Sequence, residues 1–104
     1  MTLDEIREMV VSVDRTAGHY ESAHRAGQAY TVWREYGELP FTADGRSQGA
    51  VSFQVDRFTR DENDAVARAL FQELDKDDRI AMEYRVDYEQ DTRYIHHIFD
   101  CEGY

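Results

Sequence analysis

Residues 79–90 read RIAMEYRVDYEQ, and residues 93–101 read RYIHHIFDC. In the first stretch Ile80, Met82, Tyr84, Val86 and Tyr88 take every second position, with Ala81, Glu83, Arg85 and Asp87 between them. This period of two, in residues rich in branched and aromatic side chains, predicts a strand with one apolar face. The polar stretch EQDT turns the chain, and the second stretch runs back as the last strand. Successive strand side chains point to opposite faces. Ile95, His97, Phe99 and Cys101 therefore share one face, and Tyr94, His96, Ile98 and Asp100 the other.

Moving toward the N-terminus, TRDENDAVARALFQELDKDD (59–78) opens with capping residues and three early acids, then repeats Val66, Leu70 and Leu74 with Ala67 and Phe71 alongside. That spacing predicts a helix. AVSFQVDRF (50–58) alternates as a strand until Phe58, which breaks the pattern and suggests a bulge or the strand's end. AYTVWREY (29–36) is a further strand, with Tyr30, Val32 and Tyr36 on one face and Trp33 on the other. The dozen or so residues between these two strands, GELPFTADGRSQG, are too many for a tight hairpin turn and form a long loop. TAGHYESAHRAGQ (16–28) is polar and glycine-containing and reads as a loop. TLDEIREMVVSVDR (2–15) reads as a helix capped by Thr2 or Asp4, with Leu3, Ile6, Val10 and Val13 in one stripe.

The element order is α-β-β-α-β-β in a single domain, residues 1–104, without repeats or low-complexity tracts. The expected class is α+β: a four-stranded antiparallel sheet with two helices on one face. Moving the last strand to the front would give the ferredoxin-like order, and by that analogy the strands lie 1-2-4-3.

The chain of 104 residues carries 22 acids against 12 bases, a net charge of −10. It repels phosphate at long range, and its eleven Arg and one Lys are scattered, which argues against sequence-specific nucleic-acid binding and against an anionic membrane. No segment approaches the roughly 20 apolar residues of a membrane helix, and the acidic start has no signal-peptide run. A lone cysteine suits a reducing compartment. Seven Tyr, five Phe and one Trp are too many for a disordered acidic tail.

The adjacent His96 and His97 suggest a metal, but strand alternation splits them. His97 and Cys101 share a face yet lie about 13 Å apart along the strand, so no metal is expected. A nucleophilic Cys101 would need an electropositive pocket, and its neighbours Asp100 and Glu102 oppose that. DENDAVA and DKDD read as the solvated ends of a helix. There is no phosphate-cradling glycine loop or nucleophile elbow, and neither catalytic residues nor a cofactor are expected. The aromatics Tyr84, Tyr88, Trp33 and Tyr36 are either core beneath the helices or an apolar patch on the face opposite them. Trp33, His96 and Ile98 are candidates for such a patch, which would be a subunit contact.

Between residues 29 and 99 the chain resembles small tail proteins of phages and prophages of Gram-positive bacteria. The residues that carry the resemblance are Tyr30, Val32, Trp33 and Glu35; Ala43, Asp44 and Gly45; Asp56, Phe58, Thr59 and Arg60; and Tyr88, Glu89, Asp91, Thr92, Ile95 and His96. The chain departs from that pattern at ELPF (38–41) and at His97 and Cys101. The resemblance implies a non-enzymatic structural protein of the tail-terminator or tail-completion kind. It implies a homo-oligomer, a hexameric ring capping the tail tube and meeting other tail or head–tail connector proteins, made in the host cytoplasm and carried in the virion tail. Six copies would carry about −60, repelling passing DNA at short range. A closed ring needs a head-to-tail contact. Phe41 and Arg46, an apolar side chain and a forked cation in the long loop, are candidates for it. Two other classes compete: a small acidic inhibitor mimicking nucleic acid, and a small enzyme if a pocket gathers His97 or His24 with a carboxylate.

Overall fold

The computed structural model of the chain describes residues 1–39 and 49–104; the candidates Phe41 and Arg46 lie outside the described residues. The elements are α1 (Leu3–Val13), β1 (Gly18–His19), β2 (Tyr30–Glu35), β3 (Val51–Thr59), α2 (Ala65–Asp75), β4 (Ile80–Glu89) and β5 (Tyr94–Gly103). The class is α+β, but the sheet has five strands and is mixed. Its order is β1-β2-β3-β5-β4. The four long strands are antiparallel and follow the expected 1-2-4-3 order. The fifth, β1, lies in the stretch read as a loop and pairs parallel to β2, Gly18 with Val32 and His19 with Trp33. Two residues leave no periodicity to detect.

Both helices begin as local chemistry dictates. Thr2 forms a reciprocal capping box with Glu5, its hydroxyl accepting from the Glu5 N–H at 3.1 Å and its N–H donating to the Glu5 carboxylate at 3.0 Å. Asp64 caps α2 by accepting the Ala67 N–H at 2.9 Å. The acids expected in the first turn of α2 instead build the turn before it, where Asp61 accepts the Asn63 N–H and donates its own N–H to Thr59.

Register places Trp33, Phe53, Val55, Phe99 and Cys101 on one face of the sheet, where they pack with Ile6 and Val10 of α1 and Leu70 and Leu74 of α2. This inner face is the core. Each large apolar side chain fully withdrawn from water there contributes about 1.5–3 kcal/mol. Trp33 is only 1% exposed and belongs to this core, which decides between its two readings against the patch on the opposite face. Phe58 does not break the strand. β3 stays paired through Thr59, and Phe58 occupies a regular outer-face position opposite Tyr30 and His96.

Candidate functional site

Alternation puts a cation, Arg57, on the inner face of β3. It is buried, and its guanidinium organises that end of the molecule. Nε and Nη2 fork onto the two carboxylate oxygens of Asp64 at 2.9 and 3.1 Å, and Nη1 donates to Thr31 at 3.2 Å and to Asp14 at 3.4 Å. Asp64 caps α2 and Asp14 ends α1, so one side chain ties both helices to the sheet. Burial by itself would raise both carboxyl pKa values. For Asp64 the Arg57 fork and the Ala67 N–H outweigh it, and for Asp14 the Thr31 and Thr16 hydrogen bonds with Arg57 do. Both groups are held below their ordinary value and stay ionised. Asp64 is thus not the solvated helix end that DENDAVA suggests.

Beside this node, between the first half of α2 and strands β4 and β5, lies a groove of about 490 Å³ lined by Asp64, Arg68, Phe71, Tyr84 and His97 among others. The Tyr84 hydroxyl is 2.7 Å from His97 Nδ1, and Phe71 meets the Tyr84 ring edge-on at 5.3 Å. Burial, then the nearby Arg57 and His96 charges, lower the His97 pKa against the pull of Asp64, so the imidazole is neutral at pH 7. Burial raises the Tyr84 pKa, which keeps the phenol protonated. The groove does gather a histidine with a carboxylate. Their hydrogen bonds go elsewhere, however: His97 to Tyr84, and both Asp64 oxygens to Arg57. A base needs an orienting partner and a nucleophile within reach. Here the histidine is held by a phenol and the carboxylate by a guanidinium.

The outer face carries an aromatic column. His24 stacks on Tyr30 at 3.6 Å, Tyr30 on Phe58 at 4.6 Å and Phe58 on His96 at 4.1 Å, with Tyr94 edge-on to Tyr30 and Phe58. His96 Nε2 is 2.7 Å from Asp56, which also accepts from Gln54. The Tyr94 hydroxyl donates to the Gln28 carbonyl at 2.8 Å, and Arg60 lies over the Tyr94 ring and donates to the Thr92 carbonyl. At the β1 edge His19 stacks on Trp33 at 3.9 Å and on Tyr20 at 4.1 Å, and both His19 and the Tyr20 hydroxyl reach Glu35.

The five candidate contact residues thus part company. Trp33 is in the core. His96 and Ile98 are on the outer face as alternation requires, but His96 is engaged by Asp56 and Phe58, and Ile98 is 7% exposed. Phe41 and Arg46 are not described. Cys101 is buried, and burial followed by the Asp100 charge pushes its thiol up to about 12, so it is a protonated core side chain. His96 and His97 point to opposite faces, and among the described residues no three His, Cys, Asp or Glu side chains gather as metal ligands.

The exposed aromatic surface lies elsewhere. Tyr84, Val86 and Tyr88 sit on the inner face of β4, yet they are 41%, 51% and 55% exposed, because β4 is the sheet's last strand and the helices cover it only in part, Phe71 of α2 touching one edge of the Tyr84 ring. Alternation revealed the stripe; nothing in it could reveal that the helices stop short. Compared with known proteins, the chain matches no protein-family model and no curated protein.

Proposed function

We propose that the chain is a structural subunit of a phage tail, a terminator or completion protein that works by contact and not by chemistry. The reading rests on the residue pattern that resembles such proteins and, above all, on the exposed Tyr84–Val86–Tyr88 stripe. Among the described residues, the groups gathered at the groove and beside it are engaged within the fold: Arg57 with Asp64 and Asp14, His96 with Asp56, and His97 with Tyr84. Among the described residues, Tyr84, Val86 and Tyr88 form an accessible apolar stripe at one sheet edge, with polar surface around it, which is the composition of a protein contact. The net charge of −10 suits a subunit past which DNA slides without sticking.

Negative-stain microscopy with purified tail tubes tests the proposal. Added chain should form rings or caps at one end of the tube. A chain that leaves the tubes bare and instead titrates a basic nuclease one to one would overturn the tail reading in favour of nucleic-acid mimicry.

A further inference from the structure

We infer that β4 pairs with β4 of a second copy, antiparallel, about a two-fold axis at Tyr84. The two edges of this sheet differ. At one end β1 is only two residues long; at the other β4 offers ten residues of extended backbone. A long edge strand is a template for another strand unless something blunts it. The Tyr104 N–H donates to the Arg79 carbonyl at 2.8 Å, which marks Arg79 and Tyr104 as a hydrogen-bonded pair. Antiparallel pairing alternates such pairs with non-bonded ones. Continued along β4, that rhythm turns the backbone groups of the odd-numbered residues toward β5. The groups of Ile80, Met82, Tyr84, Val86 and Tyr88 then face the free edge, and the side chains of Tyr84, Val86 and Tyr88 form the exposed stripe while Ile80 and Met82 pack against the core.

Charge selects the partner and the register. Glu83 and Arg85 are exposed and make no ion pair with any described residue. With the axis at Tyr84, Glu83 of each copy lies opposite Arg85 of the other, Met82 opposite Val86, Ile80 opposite Tyr88, and Asp87 opposite Ala81. Arg79, just before the strand, comes opposite Glu89. No like charges meet. Moving the axis to Glu83 sets Glu83 against itself. Moving it to Arg85 sets Arg85 against itself and Glu83 against Asp87. At Val86 it sets Glu83 against Glu89, and at Met82 Arg85 against Arg79. Like charges directly opposite one another weaken strand pairing, so among registers that overlap five or more residues of β4 the strand is complementary to its own copy in one. The axis stands perpendicular to the sheet, and both copies keep their helices on the same side. This pairing does not depend on the tail reading: it concerns the chain free in solution.

Sedimentation and light scattering of the purified chain should show a concentration-dependent dimer of twice 12.2 kDa. Arg85→Glu puts a carboxylate opposite Glu83 at two places and should raise the dimer Kd by about tenfold or more. The double swap Glu83→Arg with Arg85→Glu should restore pairing. Tyr84→Cys should cross-link under mild oxidation, since a hydrogen-bonded pair sets its Cα atoms about 5.5 Å apart, within disulfide range. Val86→Cys, about 13 Å from its copy in this register, should not. A chain that stays monomeric at every concentration overturns the inference. So does a dimer indifferent to Arg85→Glu, or cross-linking through Val86→Cys in place of Tyr84→Cys.

Discussion

Phe99 and Tyr84 are register partners on neighbouring strands, with rings 4.9 Å apart on the same face of the sheet. Phe99 is wholly buried and Tyr84 is 41% exposed. The same contrast runs along the two strands: Cys101 is in the core, while Val86 and Tyr88 are open to solvent. Both strands obey the same alternation, so alternation cannot be the cause. The helices are. Ile6 and Val10 of α1 and Leu70 and Leu74 of α2 join a core centred on β2, β3 and β5, and the cover thins out over β4. A strand's period says which side chains share a face, and only the layer above says whether that face is dry.

Truncation should separate the two strands most sharply. Phe99→Ala removes a buried ring and should cost about 3–5 kcal/mol in denaturant unfolding. Val86→Ala should change folding stability by less than about 0.5 kcal/mol while weakening self-association. A Val86→Ala cost close to that of Phe99→Ala would mean that the helices cover β4 after all.

The next test addresses what anchors the covered side. Arg57→Lys keeps the charge but loses the fork that grips Asp64 and the reach to Thr31, and should cost about 1.5–3 kcal/mol. Arg85→Lys on the outer face of β4, where no described residue pairs with the guanidinium, should leave folding stability unchanged within about 0.5 kcal/mol. Equal effects at the two positions would remove the distinction between a cation that organises the fold and one left free for a partner.

Acid should reveal the smallest difference. His97 has its pKa lowered from 6.5 in the fold, so the unfolded chain takes up that proton first. Its contribution is intact above about 6.5 and is lost as pH falls through the lower folded value. Asp14 and Asp64 are also lowered, from 3.8, and their contribution is intact above that value and is lost as pH falls through their folded pKa values. A melting temperature followed downward from pH 8 should therefore fall in two stages. His97→Phe should abolish the upper stage and leave the lower one. An unchanged upper stage would place its origin outside the groove.

Much of the fold was legible in the residues. The two helices announce themselves by three-and-four spacing and by capping residues at their starts, Thr2 or Asp4 for the first, and the four long strands by alternation. The order of those strands followed from analogy with a known arrangement, not from the residues. The candidate sites were less legible. Phe58 looked like a break because an apolar residue on an outer position is unexpected; it fits because Tyr30 and His96, from two other strands, stack on either side of it. Trp33 reads equally as core or as open patch because its strand offers two faces and no means of telling which one the helices cover. Asp64 looked solvated because its partner, Arg57, lies seven residues away across a turn.

What the sequence by itself determined is the set of side chains that share each face, because a strand repeats every two residues and a helix every three or four whatever surrounds it. What only the tertiary structure decided is which of those faces is buried and which polar groups satisfy each other there. Asp14, Thr31, Arg57 and Asp64 form one network drawn from four separate segments, and the β4 stripe is exposed because of where the two helices lie on the sheet. Such outcomes depend on contacts between residues far apart in the chain, and no local period carries that information.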